Sequence, residues 1–215
     1  MAMRLHELHP ALSHYPLAAL PAAVKLEAAA QWTGRDDLNT MSRWAMPVAA
    51  ATSAVTAAAG LIAQQEVDAS EEGWSMLDKH RTLNLGVVGA TTAMGAYRLS
   101  RRRVGPGYLA AGAAVLGTVT YSAYLGGRMV YGQGMGVERA GGVRDEQSPS
   151  LTLSNVGTVI KTAGRQLKEA VGGFIKGFGG MSTGFGPDKD ELQRDIERDN
   201  AGSGALPMGS AQRPI

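Results

Sequence analysis

The chain contains no cysteine. This absence excludes disulfides, thiolate metal sites, iron–sulfur clusters and covalently attached haem, so any metal would be bound by histidine, methionine or carboxylate side chains. Aromatic residues make up only 6% of the sequence, and the formal net charge is only +2. Because there is no strong basic field, we expect no nucleic-acid partner.

Recognisable catalytic motifs are also missing from the sequence. It has no phosphate-binding glycine loop, no His-Glu-x-x-His zinc motif and no arrangement of nucleophile, base and acid. We therefore expect neither a hydrolase nor a kinase, and the sequence does not identify a small-molecule substrate.

Long apolar runs are present, and nearly all of them lie before residue 137. Crossing the ~30 Å hydrocarbon core of a bilayer takes about 20 mostly apolar helical residues. Four segments are therefore predicted to span a membrane: residues 10–32, 44–63, 82–99 and 104–127. Their many Ala and Gly residues let helix backbones approach closely. The predicted fold is all-α, with a membrane-embedded bundle of four transmembrane helices over residues 1–137 and a partly helical, partly disordered C-terminal tail.

Charge in the short loops predicts the orientation of this bundle. Arg98 and the run Arg101–Arg103 lie between the third and fourth spans, whereas the loop between the second and third spans is mainly acidic. Loops rich in arginine stay on the cytoplasmic side. The chain is therefore predicted to lie in the bacterial inner membrane with both termini in the periplasm.

The tail has its own pattern. Residues 138–153 are mostly polar, include Gly141 and Gly142, and are predicted to be a flexible linker. Apolar residues recur at helical spacing over 154–178 and predict an amphipathic helix. Its polar surface carries Lys161, Arg165, Lys168 and Lys176. Such a helix could lie on lipid or dock on a partner protein, and both interpretations stay open. Residues 179–215 are predicted to be a polar tail with a short charged helix over 188–199.

All four histidines lie on the predicted outer side: His6, His9, His14 and His80. Antiparallel spans place the starts of the first and third helices at one membrane face, so His14 and His80 are expected to approach each other. Facing imidazoles commonly hold non-covalent haem in helical bundles, which makes these two candidate axial ligands of haem b, with His9 in reserve. His6 and His9 precede the first span and are expected to lie farther from the bundle interior. Two alternatives are helix-end or loop hydrogen bonding and a proton-handling role.

Two ionisable residues lie inside the first predicted span. Lys25 and Glu27 are two positions apart, which turns them about 200° from each other on a helix, so a direct ion pair is not expected. An acid within a span is costly unless it faces the bundle or reaches water. The simplest interpretation is that Lys25 extends to the cytoplasmic interface and that Glu27 lies near the same boundary.

Several short motifs carry a family resemblance. The chain opens with LHELHPALSHYPL over residues 5–17, closes the second span with GLIA over 60–63, opens the third with HRTLN over 80–84 and follows the fourth with YLGGRMVY over 124–131. Together these motifs resemble the bacterial membrane family known as domain of unknown function 2231, over residues 5–137.

The resemblance has implications for architecture and function. It implies four spans, and a place near membrane electron transfer, because some members appear fused to Rieske-type iron–sulfur domains. By motif, His9, His14 and His80 stand at the family's histidine positions, and Glu27 stands at its acidic position in the first span.

Two functions are compatible with these features. The first is an accessory or structural subunit of a larger membrane complex, with the tail contacting its partners. The second is a haem b-binding redox protein that uses His14 and His80. The tail extends beyond the resemblance, and this favours the first.

Overall fold

The computed structural model describes residues 3–137, 140–143 and 151–179. Within these ranges the chain is all-helical, as predicted. The long helices are α1 (Leu8–Thr33), α2 (Asp36–Ala63), α3 (Glu71–Ser100), α4 (Pro106–Gly127) and α5 (Val156–Gly179). A π-helical segment, Arg128–Gly132, continues α4, and short 3-10 turns precede α1 and α5. The charged helix predicted over 188–199 and most of the predicted linker lie outside the described residues.

The helices extend beyond the apolar segments that predicted them. The second helix begins at Asp36 rather than near residue 44, and the third begins at Glu71 rather than near residue 82. At the start of α3, the Ser70 side chain accepts a hydrogen bond from the backbone N–H of Gly73 at 3.2 Å. Hydropathy therefore marks the part of each helix suited to lipid, whereas at α3 a capping serine marks where the helix begins.

Small residues allow the helices to cross closely. A Cβ added to Gly95 of α3 would lie 3.3 Å from the backbone of Pro47 in α2, and one added to Gly112 of α4 would lie 2.9 Å from Val24 in α1. The main core lies between these helices and includes Leu20, Met46, Ala49, Val87, Met94, Tyr108 and Val115. At Gly95 and Gly112, the absence of a side chain therefore allows the predicted spans to pack closely.

Two helices are long and apolar enough to cross a membrane: Asp36–Ala63, and α4 with its extension, Pro106–Gly132. Helices α1 and α3 contain more polar and charged side chains, among them Glu27 and Arg98. Hydropathy within the described residues thus supports two spans, and the four predicted from the apolar runs are not established by it.

Helix α5 packs against α2 at the end of the bundle where the N-terminus lies. Gln166 donates to Glu66 Oε1 at 3.0 Å, and Val159 and Ala170 are buried. Residues 134–137 and 140–143 lie over the same end, where the Gly142 carbonyl accepts from the N–H groups of Gly136 and Asp68. We call this the outer end, and the end with the α3–α4 loop the inner end.

Candidate functional site

A buried ion pair joins α1 to α3 at the inner end. Arg98 Nε donates to Glu27 Oε2 at 2.6 Å, and the two side chains are 0% and 3% exposed. The other carboxylate oxygen, Glu27 Oε1, accepts from Gln31 at 3.2 Å, one helical turn further along α1. Because desolvating two charges is costly, a pair buried to this degree requires close geometry and further hydrogen bonds.

The remaining guanidinium nitrogens of Arg98 supply those bonds. One terminal nitrogen donates to the Asn39 side chain at 2.8 Å and to Ser42 Oγ at 2.9 Å, both on α2. The other donates to the backbone carbonyls of Arg101 and Arg102, at 3.0 and 3.4 Å. A single side chain therefore connects α1, α2, α3 and the α3–α4 loop, which suits the planar fork of donors that arginine provides.

The placement of Arg98 and Glu27 differs from the sequence interpretation. Arg98 was assigned to the cytoplasmic loop, but it lies inside α3 and is completely buried. Glu27 was placed near the membrane boundary beside Lys25, but it is 2% exposed and paired with a residue 71 positions away. Lys25 is exposed, and the expectation that it does not pair with Glu27 agrees with this geometry.

A pair of imidazoles occupies the outer end. The rings of His9 and His80 lie 6.1 Å apart between centroids, at 88° to each other. Each ring rests on a glycine of a neighbouring helix: a Cβ at Gly60 would come within 2.9 Å of His9 Nδ1, and one at Gly126 within 3.4 Å of His80 Cε1. The glycines in the motifs over 60–63 and 124–131 thus make room for the histidines.

Hydrogen bonds determine the tautomers of these rings. His9 Nδ1 lies 3.0 Å from the Thr56 carbonyl, and His80 Nδ1 lies 2.9 Å from the Ser122 carbonyl. Carbonyl oxygens only accept, so both Nδ1 atoms carry the proton. The Asn84 amide then donates to His80 Nε2 at 2.9 Å. Burial lowers the pKa of His9 and lowers that of His80 to about 4, which favours neutral rings.

The other two histidines lie where the sequence did not place them. His14 is exposed, and its Nδ1 is 3.4 Å from the Ala11 carbonyl of its own helix. His6 is only 7% exposed and lies 3.5 Å from the buried Glu66 carboxylate. The expectation that His6 and His9 lie farther from the interior than His14 was therefore wrong. His9 and His14 are five positions apart, which is about 140° around a helix, and apolar periodicity did not resolve which of the two faces the interior.

These donors, as placed, do not fit a haem iron. The ring beside His80 is that of His9 rather than His14, and the nitrogen of His80 that would bind iron already accepts from Asn84. Both rings press on glycine backbones, where a porphyrin would need space. Ligation by His14 and His80 stays a prediction that a spectrum can test.

Helix α5 presents its own surface at the outer end. Lys161, Arg165 and Lys168 are exposed, whereas the side chain of Lys176 lies outside the described part. Beside these cations are exposed apolar side chains: Val156, Ile160, Val171 and Ile175, between 41% and 68% accessible. The bundle therefore covers only part of the apolar surface of α5.

Sequence comparison identifies the family of the region that carries the Glu27–Arg98 ion pair and the His9–His80 pair. Residues 5–139 match the model of the family described as predicted membrane protein, DUF2231. The chain belongs to this family. Its match contains α1 to α4, whereas α5 lies beyond it. No curated protein and no solved structure matches the chain. Membership in this family therefore supports a membrane protein.

Proposed function

We propose that the protein is a four-span scaffold in the bacterial inner membrane, acting as an accessory subunit of a larger membrane complex. The observation that carries this proposal is the use of its buried polar groups. Glu27, Arg98, His9 and His80 each bond to a neighbouring helix or loop. Groups held in this way stabilise a packed arrangement and are not free to act on a substrate.

The same bonds support four spans rather than two. Helices α1 and α3 have 26 and 30 residues, more than the ~20 needed to cross the hydrocarbon core. Their low hydropathy arises partly from charges, and Glu27 and Arg98 neutralise each other inside the bundle. Ionisable groups in membranes are tolerated when they face the bundle and pair. We infer that α1 and α3 cross the membrane together with α2 and α4.

Orientation follows from the inner end. Arg101, Arg102 and Arg103 are exposed there, which favours the cytoplasmic side and places both termini in the periplasm. Alkaline phosphatase and a fluorescent protein that folds only in the cytoplasm, fused at residue 202, would test this. Phosphatase activity without fluorescence is expected, and the reverse pattern would overturn the orientation.

Exposed aromatic and apolar surfaces are the proposed contacts with other subunits. Tyr121 and Tyr124 of α4 stack at 6.4 Å between centroids and are 53% and 58% exposed. Tyrosine is enriched at protein interfaces because it is large, rigid and amphipathic. At the outer end, α5 adds its exposed apolar side chains and cations, directed toward lipid or a partner. The family resemblance suggests an electron-transfer complex as the class of assembly.

Purification from native membranes in mild detergent would test the scaffold. We expect membrane subunits in fixed stoichiometry with the chain, and we expect Tyr121→Ala with Tyr124→Ala to release them while the helical circular dichroism is retained. Trp32→Ala is the matched control, because Trp32 is 92% exposed at the inner end of α1. A chain that purifies alone from native membranes would contradict the subunit role. A Soret band that disappears on replacing His14 or His80 would instead support the haem-binding alternative.

A further inference from the structure

A groove lies between α3 and α4 near the inner end. Its volume is about 500 Å³, and its walls are mostly apolar or small: Ala93, Met94 and Tyr97 on one side, and Gly105, Gly107 and Tyr108 on the other. Tyr97 is 49% exposed, and a Cβ added at Gly107 would meet nothing within 4 Å. The groove is thus open at the protein surface and could receive an apolar chain.

A guanidinium group lies at the end of this groove. The Cζ atom of Arg101 is 5.7 Å from the centroid of the Tyr97 ring, which is itself part of the groove wall. Arg101 and Arg102 are exposed, and in the described part of the chain the ion pairs of this loop involve Arg98 and Arg103 instead. The cationic side chain of Arg101 therefore lies beside an apolar groove, and the exposed Arg102 follows it in the chain.

The backbone that carries these cations is held in place. The carbonyl of Arg102 accepts from the Asn39 side chain at 3.0 Å, and the buried Arg98 binds the carbonyls of both loop residues. A loop restrained in this way loses little entropy when its side chains bind an anion. The buried ion pair therefore has a second consequence, which is to position Arg101 and Arg102.

We propose that this groove binds an anionic phospholipid, with an acyl chain along the groove and its phosphate between Arg101 and Arg102. Basic pockets between transmembrane helices on the cytoplasmic side are typical sites for anionic headgroups. A two-fold dimer across the groove is disfavoured, because it would bring the same arginines of both copies together. The inference rests on the proposed crossing of α3 and α4 and on the proposed cytoplasmic inner end.

The test uses the full chain purified in detergent and supplied with phosphatidylglycerol or phosphatidylcholine in mixed micelles. Retained lipid is counted by native mass spectrometry, and stabilisation is measured by thermal unfolding. Phosphatidylglycerol is expected to be retained preferentially, and Arg101→Ala is expected to reduce this preference roughly fivefold, as for loss of one arginine near a headgroup. Arg128→Ala is the charge control, since Arg128 is exposed at the outer end of α4.

A second pair of variants tests the groove itself. Gly107→Leu would fill it and is expected to abolish retention of phosphatidylglycerol, whereas Gly117→Leu on the same helix is expected to leave retention unchanged. A Cβ at either glycine meets nothing within 4 Å, so both variants are expected to keep wild-type helical circular dichroism.

Three results would overturn the proposal. The first is equal retention of both lipids by the wild type, or retention that Gly107→Leu and Gly117→Leu affect alike. The second is equal stabilisation by soluble glycerol phosphate, which would assign the site to a free anion. The third is a doubled mass that only Gly107→Leu reduces, which would assign the groove to a second copy. The fusion at residue 202 reports orientation independently, so failure of the lipid site and failure of the topology are distinguishable.

Discussion

Breaking the buried ion pair is expected to be the most destabilising single change in the bundle. Arg98→Met removes the side chain that connects α1, α2, α3 and the α3–α4 loop, and it leaves the Glu27 carboxylate buried without its cation. Removing one partner of a buried pair costs about 3–5 kcal/mol in free energy of unfolding. Asn39 and Ser42 also lose their donor, which places the expected loss toward the upper end of that range.

The reciprocal variant distinguishes the contribution of the ion pair from that of the other hydrogen bonds made by Arg98. Glu27→Leu leaves the guanidinium buried without a counter-charge, but the bonds from Arg98 to α2 and to the loop remain. The double variant Glu27→Leu with Arg98→Met removes both charges and should recover part of the stability, because replacing a whole buried pair by apolar side chains is often neutral. We expect a coupling energy of roughly 2–3 kcal/mol from the double-mutant cycle.

Thermal unfolding in detergent, followed by circular dichroism, is the assay. For a chain of this length, a loss of 3–5 kcal/mol corresponds to a fall of about 6–20 °C in the unfolding midpoint. Lys25→Met is the matched control, since Lys25 is exposed on the same helix as Glu27, and its effect is expected to stay within about 0.5 kcal/mol. Single variants that behave like this control, or a coupling energy near zero, would refute the assignment of the pair.

Three further predictions concern the outer end and the tail. Gly60→Ala should lower the unfolding midpoint, because its Cβ would lie 2.9 Å from an imidazole nitrogen, whereas Gly86→Ala, with nothing within 4 Å, should not; equal midpoints would contradict the close contact. Burial lowers the pKa of His80, which precedes the third predicted span, to about 4 from a usual 6.5. The folded protein therefore resists protonation that the unfolded chain accepts, and stability should fall as the pH is lowered from 6.5 toward 4, less steeply in His80→Gln; parallel pH profiles would count against this. Since the chain has no cysteine, a fluorescent label can be attached at Ile160→Cys or at Thr158→Cys alone. In anionic nanodiscs the label at position 160 should be shielded from aqueous quenchers and the label at position 158 should not. Equal quenching would indicate a water-exposed helix.

The sequence was informative about composition and about where helices lie. The apolar runs predicted four helices before residue 137, and the periodic pattern over 154–178 predicted α5. The absence of cysteine excluded whole classes of metal site. These inferences succeed because hydropathy and helical periodicity depend on residues close together in the chain.

Inferences about the site were less successful, and Arg98 shows why. Its position after an apolar run and before three more arginines is typical of a cytoplasmic loop, and nothing adjacent in sequence indicates a buried partner. Glu27 lies 71 positions earlier, and the two meet only because α1 and α3 cross at the level of both side chains. Neither the crossing nor its level is encoded in a local pattern.

The histidines show the same difference between what local sequence predicts and what contacts between distant residues decide. The sequence by itself determined that they cluster at one end of the bundle, because antiparallel helices return to the same face. Only the tertiary structure decided that His9, and not His14, faces His80. That choice depends on the rotation of α1 about its axis. The rotation is fixed where the His9 ring packs on Gly60 and where His9 Nδ1 donates to the Thr56 carbonyl of α2. Contacts between distant segments have no signature within either segment, so the helices were predictable and the pairing of their polar side chains was not.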